Sequence, residues 1–219
     1  MSHWLNTDVY SPLMLALFIT GCALWVVVYV VVIYNIRVNK VVEIPIIGVT
    51  ANIGWEFIWS FIYQPNMGKI VTIGYAAWFF LDCFIFYSLL RYGWKQLKTP
   101  VLRDHSKKLI LFLTVAWFAL IVGLAESHYE TPIGTISAYW DNLVFSAAYC
   151  LMIVNATNPK HYSKAAGWSK GLGTGLISVA VLLQWPENTF LWAICTTTAL
   201  LDAYYLVQLH KMHAQPPTT

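Results

Sequence analysis

Five carboxyl groups, Glu56, Asp82, Glu126, Asp141 and Asp202, stand inside runs of apolar and aromatic residues, and they are the side chains most able to do chemistry in this sequence. At helical spacing, three of them share a face with named neighbours. Glu56 goes with Asn52, Trp59, Ser60 and Tyr63; Asp82 with Tyr75, Trp78, Phe79 and Phe86; Asp202 with Thr198, Tyr205, Leu206 and Leu209. A carboxyl group kept dry stays neutral and can give its proton to a greasy substrate near pH 7. Rings of Trp, Tyr and Phe can then hold positive charge on carbon by cation–π attraction, ~2 kcal/mol per desolvated contact. That combination suits polyene cyclisation. The same acids could instead relay protons or cations, as in a small proton-coupled transporter or channel, or bond to their neighbours only to pin helices together. Aromatics make up 16% of the chain, and belts of Trp and Tyr are common in membrane proteins, so one acid–ring pair alone decides little.

The elements that must position these residues are membrane helices. The 219 residues are 58% hydrophobic and 11% charged, too apolar for a soluble domain of this size. A hydrocarbon core ~30 Å thick needs about 20 mostly apolar residues per helix. The pattern therefore predicts an all-α, polytopic membrane protein, a bundle of seven transmembrane helices at about 12–34, 45–63, 69–91, 107–126, 134–155, 168–186 and 187–209, forming one domain over residues 1–219. The sixth is Gly-rich at its start. The first has neither a positively charged leader nor a small-residue cleavage site, which reads as a retained helix. Lys69 falls on one side and every other Lys and Arg, Lys170 included, on the opposite side, so the N-terminus is expected outside and the C-terminus in the cytoplasm. Topology then accounts for the net charge of +3 without a nucleic-acid partner.

With no Lys or Arg near the centre of any predicted span, the acids are expected to lack an intramembrane cation, to face an internal cavity and in part to stay protonated. Ionising each unpaired would cost at least ~2.5–3.5 kcal/mol. Glu56 lies about seven residues, ~10 Å, from the outer end of its helix. Glu126 sits near the outer rim beside His128 and carries the least weight, while Asp8, Glu43, Asp104, Glu130 and Glu187 fall in tails, loops or helix ends that water should reach. Cys22, Cys83, Cys150 and Cys195 sit singly in spans, as packing residues do. The sequon Asn155-Ala156-Thr157 falls at a cytoplasmic helix end, which argues against glycosylation.

Several activities lack their residues. The last span has no lysine for a retinal Schiff base, and there is no HExxH, phosphate-binding Gly loop, Cys/His cluster or Asp-Asp pair. Magnesium-assisted diphosphate ionisation is accordingly not expected, nor is an inverted-repeat transporter, because no 3+3 repetition is visible.

"NIGWEFIW" in span two, "AWFFLDCFIFY" in span three and "LLDAYYLVQL" in span seven, with the chain length and span count, resemble the small integral-membrane terpene cyclases of fungal meroterpenoid and indole-diterpene biosynthesis, the pyripyropene and paxilline type with bacterial relatives. The resemblance covers nearly the whole chain in architecture and three short stretches in motif. It implies that Glu56 and Asp202 serve protonation, with Asp82 supporting them through the family's Trp-x-x-x-Asp pattern at Trp78 to Asp82; it assigns nothing to Asp141.

Together the residues and the resemblance give the expectation of a metal-independent terpene cyclase that needs no cofactor, opening a terminal epoxide or protonating a terminal alkene of a prenylated substrate reached from the lipid. Glu56, Asp202 and Asp82 are the candidate catalytic residues, and Asn52, Trp55, Trp59, Tyr63, Trp78, Asp141 and Tyr205 the candidate substrate-binding ones. The expected location is a bacterial inner membrane or, in a fungus, the endoplasmic reticulum.

Overall fold

The seven apolar runs become seven long helical segments in the computed structural model, which describes residues 3–156 and 158–214; Thr157 of the sequon lies outside them. These are α1 (Pro12–Asn39), α2 (Ile46–Phe57) continued by a π-helical turn (Ile58–Ile62), α3 (Lys69–Tyr92), α5 (Ser106–Glu126), α6 (Thr135–Val154), α7 (Lys164–Gln184) and α8 (Thr189–Ala214), with a short α4 (Pro100–Asp104) before α5. There is no strand among the described residues.

Five segments are long and apolar enough to cross a membrane: α1, Lys69–Gln96, α5, α7 and α8. The other two are α2 with its π turn, which is shorter, and α6, whose first half carries Thr135, Ser137, Asp141 and Asn142. These are the helices that supply most of the polar wall of the central cavity described below. The lower hydropathy of α6 has the same cause as its chemistry.

Local signals set the helix ends. Ser11 caps α1 by accepting from the Met14 amide at 3.2 Å, with Pro12 already holding a helical φ, and Lys40 stops it in the left-handed region at φ 54°. Glu130 caps α6, its Oε1 accepting from the Ile136 amide and its Oε2 from the Ser137 amide, both at 2.7 Å. Gly134, just before α6, has φ 77°, and an added Cβ would lie 2.4 Å from the Trp59 ring. Only glycine fits that conformation against that ring.

Around the centre, α1, α3, α2, α6, α8 and α7 pack in succession as a closed ring, α7 returning to α1, while α5 packs outside the ring on α2. The α1–α7 seam is tight: a Cβ on Gly21 would lie 2.7 Å from the Gly173 carbonyl oxygen. The glycine-rich start of the sixth run is therefore a helix-packing surface. Outward faces are apolar, as on α5 with Leu111, Phe112, Val115 and Leu120 exposed.

Two expectations about charge need correction. Glu43 is not reached by water: it is 3% exposed and accepts from the Asn35 side-chain amide at 3.0 Å and the Ser163 backbone amide at 2.7 Å. Lys170 belongs to the interior rather than to the cytoplasmic face, because α7 begins at Lys164, before the expected start, and carries Lys170 inward to 2% exposure.

A carboxyl and ring-lined cavity as candidate active site

The helix ring surrounds a cavity of about 80 Å³. Its walls come from α1, α2, α3, α6, α7 and the turn before α6. Glu56 and Asp141 are its carboxyl groups, on facing helices α2 and α6, and Asn52 and Asn142 stand one turn away and next in sequence respectively.

Glu56, 2% exposed, takes a hydrogen bond at Oε1 from the Tyr29 hydroxyl, which itself accepts from Asn52 Nδ2 at 3.3 Å. Its Oε2 has no hydrogen-bond partner among the described residues, and neither has Oδ1 of Asp141. One oxygen of Glu56 is thus held by the fold and the other is free to meet a substrate. The phenol donor of Tyr29 is placed where it would stabilise a carboxylate at Glu56.

Aromatic faces surround these acids. Trp55 meets Tyr75 edge-on at 4.8 Å, Tyr75 stacks on Trp78 at 5.6 Å, and Tyr29 lies 6.4 Å from Trp78 and 6.3 Å from Trp25. Their polar edges are anchored away from one another. Trp55 Nε1 donates to Ser137 Oγ at 3.0 Å, the Tyr75 hydroxyl donates to the Ile133 carbonyl at 3.3 Å, and the Tyr139 hydroxyl bonds Ser178 Oγ at 2.7 Å. Trp55, Tyr75 and Tyr139 are held by their heteroatoms, which fixes the orientation of their π faces.

Of the residues singled out from sequence, Glu56, Asn52, Trp55, Trp78 and Asp141 line the cavity. Trp59 and Tyr63 do not. The π turn, closed by the Tyr63 amide on the Ile58 carbonyl at 3.0 Å, adds a residue between Ile58 and Tyr63 and breaks the helical spacing from Glu56 to Tyr63. Trp59 packs behind Trp55 and donates to Ser137 Oγ at 3.3 Å, and Tyr63 bonds Glu126 at the exposed rim. Tyr205 lies against Tyr149 at 4.8 Å, outside the lining. Asp82 is fully buried with neither carboxyl oxygen hydrogen-bonded among the described residues, and it too is outside the lining.

Asp202 departs from expectation. It is paired with a cation inside the bundle: Lys170 Nζ lies 2.6 Å from its Oδ1. The absence of Lys and Arg from the predicted span centres had suggested that no such partner existed. Trp25 and Tyr29 are among the cavity residues that motif reading passes over. Their signal was present as an aromatic pair four apart in α1, in a run otherwise dominated by aliphatics.

A family model described as Pyr4-like transmembrane terpene cyclases matches residues 7–215. Asnovolin H synthase nvfL of Aspergillus novofumigatus is 26% identical over 199 residues, 84% of this chain and 80% of that protein. Terpene cyclase macJ of Penicillium terrestre is 23% identical over 174 residues, 75% of this chain and 66%, just under two thirds, of that protein. Terpene cyclase olcD of Penicillium canescens is 20% identical over 206 residues, 90% of this chain and 84% of that protein. No solved structure matches the chain. With the match running over nearly its whole length, and with apolar helices to suit, the chain belongs to the Pyr4-like transmembrane terpene cyclases.

Proposed function

We propose that this protein is a multi-pass membrane enzyme of one domain that cyclises a prenylated lipophilic substrate within the bilayer, starting the reaction by proton transfer from Glu56 and using no metal. The observation that carries this reading is the pairing of a buried carboxyl group, one oxygen held by Tyr29 and the other unpartnered, with a cavity wall of fixed aromatic rings. The relatives' names support terpenoid chemistry.

The substrate reaches the cavity from the lipid, where each buried CH₂ of a prenyl tail gains ~0.8 kcal/mol. Glu56 transfers its proton to a terminal epoxide oxygen, so that the C–O bond breaks, or to a terminal alkene carbon. The electron-poor carbon is attacked by the π electrons of the next double bond, forming a C–C bond and moving the charge along the chain. Trp25, Tyr29, Trp55, Tyr75 and Trp78 present the π faces that steady it. Loss of a proton from carbon to the Glu56 carboxylate, or capture by a substrate hydroxyl whose proton passes to that carboxylate, ends the cascade and regenerates the acid. Dry walls matter because water would quench the cation early. The alternative of a proton-coupled transporter is not favoured by the family to which the chain belongs.

Membranes containing the protein, incubated with a prenylated aromatic epoxide and with its alkene counterpart in the presence of EDTA, should convert one of them to a cyclised isomer at the same rate as without chelator. Abolition by EDTA with recovery on added magnesium would contradict the metal-independent mechanism. Failure to convert either compound by folded protein would contradict the substrate class.

A further inference from the structure

Lys170 is the one fully buried lysine among the described residues, and none of the steps above uses it. From α7 its ammonium donates to Asp202 Oδ1 on α8 at 2.6 Å and to Ser146 Oγ on α6 at 2.8 Å. It also lies 5.4 Å from the ring centre of Phe145, 5.8 Å from that of Trp25 and 5.9 Å from that of Tyr149. Trp25 in turn stacks on Phe145 at 5.9 Å and borders the cavity, whereas neither Lys170 nor Asp202 does. The ion pair therefore stands behind the Trp25 wall.

We infer that Lys170 is the counter-ion that holds Asp202 as a carboxylate, and that the pair is a positioning device which ties α6, α7 and α8 together behind Trp25 and sets that wall for the cascade. It is not the source of the initiating proton. This inference rests on the cavity being the site of cyclisation. The physics of the pair is plain: a charge buried alone is costly, and a buried pair whose ammonium also donates to Ser146 is tolerable. A bare ammonium beside three rings would also draw on the same π density that the substrate cation needs on Trp25, and the Asp202 carboxylate offsets that pull.

The test is a double-mutant cycle of Lys170→Met, Asp202→Asn and the two combined. Methionine keeps the length of the lysine stem against the rings, and Asp202→Asn keeps the shape of the side chain without its charge. Melting temperatures in detergent, which need no substrate, read the pair itself. Turnover per folded enzyme and the ratio of partly to fully cyclised product read its effect on the wall. Each single change should lower the melting temperature and cut turnover about 100-fold while shifting the ratio towards partly cyclised product, because each leaves one charge unpaired. The combined variant should recover at least about 10-fold over either single and restore the wild-type ratio. Additive losses in melting temperature would overturn the counter-ion assignment. A combined variant no better than Asp202→Asn, or one that does not accumulate, would overturn the positioning role. Failure of the underlying cyclase reading would look different, with Glu56→Gln fully active or wild type inert while the melting-temperature cycle still showed coupling.

Discussion

At the scale of the residue, the account turns on how one carboxyl group is held. Glu56 keeps one oxygen on the Tyr29 hydroxyl and the other unpartnered, so Tyr29 should matter to the step that leaves Glu56 charged. Tyr29→Phe removes a hydrogen bond to a developing carboxylate, worth ~1.5–3 kcal/mol, and is expected to lower kcat by about 10- to 100-fold with little change in KM. An equal fall in binding and turnover, measured by initial rates in membranes, would assign Tyr29 to substrate contact instead. Trp78→Leu, which removes a cavity face, should cost about 30-fold in turnover, in line with ~2 kcal/mol for one desolvated cation–π contact, and raise the share of prematurely quenched product. The acids themselves were legible as types in the sequence. Which of them meet was not, because Asp82 and Glu56 look alike until the helices are placed.

At the scale of the element, all seven long helical segments could be read from the sequence, since each is an apolar run of roughly the right length bounded by Gly, Pro or charge. Two features escaped that reading for identifiable reasons. The π turn at Ile58–Ile62 has no sequence signature, yet it breaks the helical spacing that would put Tyr63 on the face of Glu56. Hydropathy also places Lys170 at a cytoplasmic helix end, because it weighs the lysine without seeing Ser146, Asp202 and three rings from other helices. The turn before α6 should be brittle: Gly134→Ala forces a Cβ against the Trp59 ring at positive φ and is expected to destabilise by about 1–3 kcal/mol, read as a lower melting temperature, and to loosen the Trp55–Ser137 contact.

Glu43 makes a second test at this scale. It joins the end of α1 to the start of α7, and burial pushes its carboxyl above the usual range, with the Ser163 and Asn35 hydrogen bonds opposing. The folded state therefore binds this proton more tightly than the unfolded chain does. Stability is lost as pH rises from the ordinary carboxyl range, about 4.3, through the raised value in the fold. The melting temperature of Glu43→Gln relative to wild type should accordingly rise with pH across that window. A difference that stays flat or falls would show that the buried carboxyl does not carry a net cost when charged.

At the scale of the whole molecule, five helices meet the length and hydropathy of a membrane span, and the two that fall short, α2 and α6, carry the polar wall of the cavity. Seven spans with the N-terminus outside remain our proposal. Removing Lys170 from the count on its side leaves the basic bias towards one set of helix ends intact. A reporter active only in the cytoplasm should work when fused after residue 219 and fail when fused before residue 1; the reverse pattern would invert the bundle. The molecule as a whole is a ring of helices closed by small residues at the α1–α7 seam, with acids and π faces turned inward and aliphatic residues outward. Its central claim is that Glu56 gives the initiating proton. The most direct measurement is cyclisation by Glu56→Gln in membranes where the variant is folded and equal in amount to wild type. The account predicts a loss of about 10²- to 10⁴-fold in turnover, the contribution of a positioned general acid, with substrate binding retained. Full turnover by Glu56→Gln would contradict it.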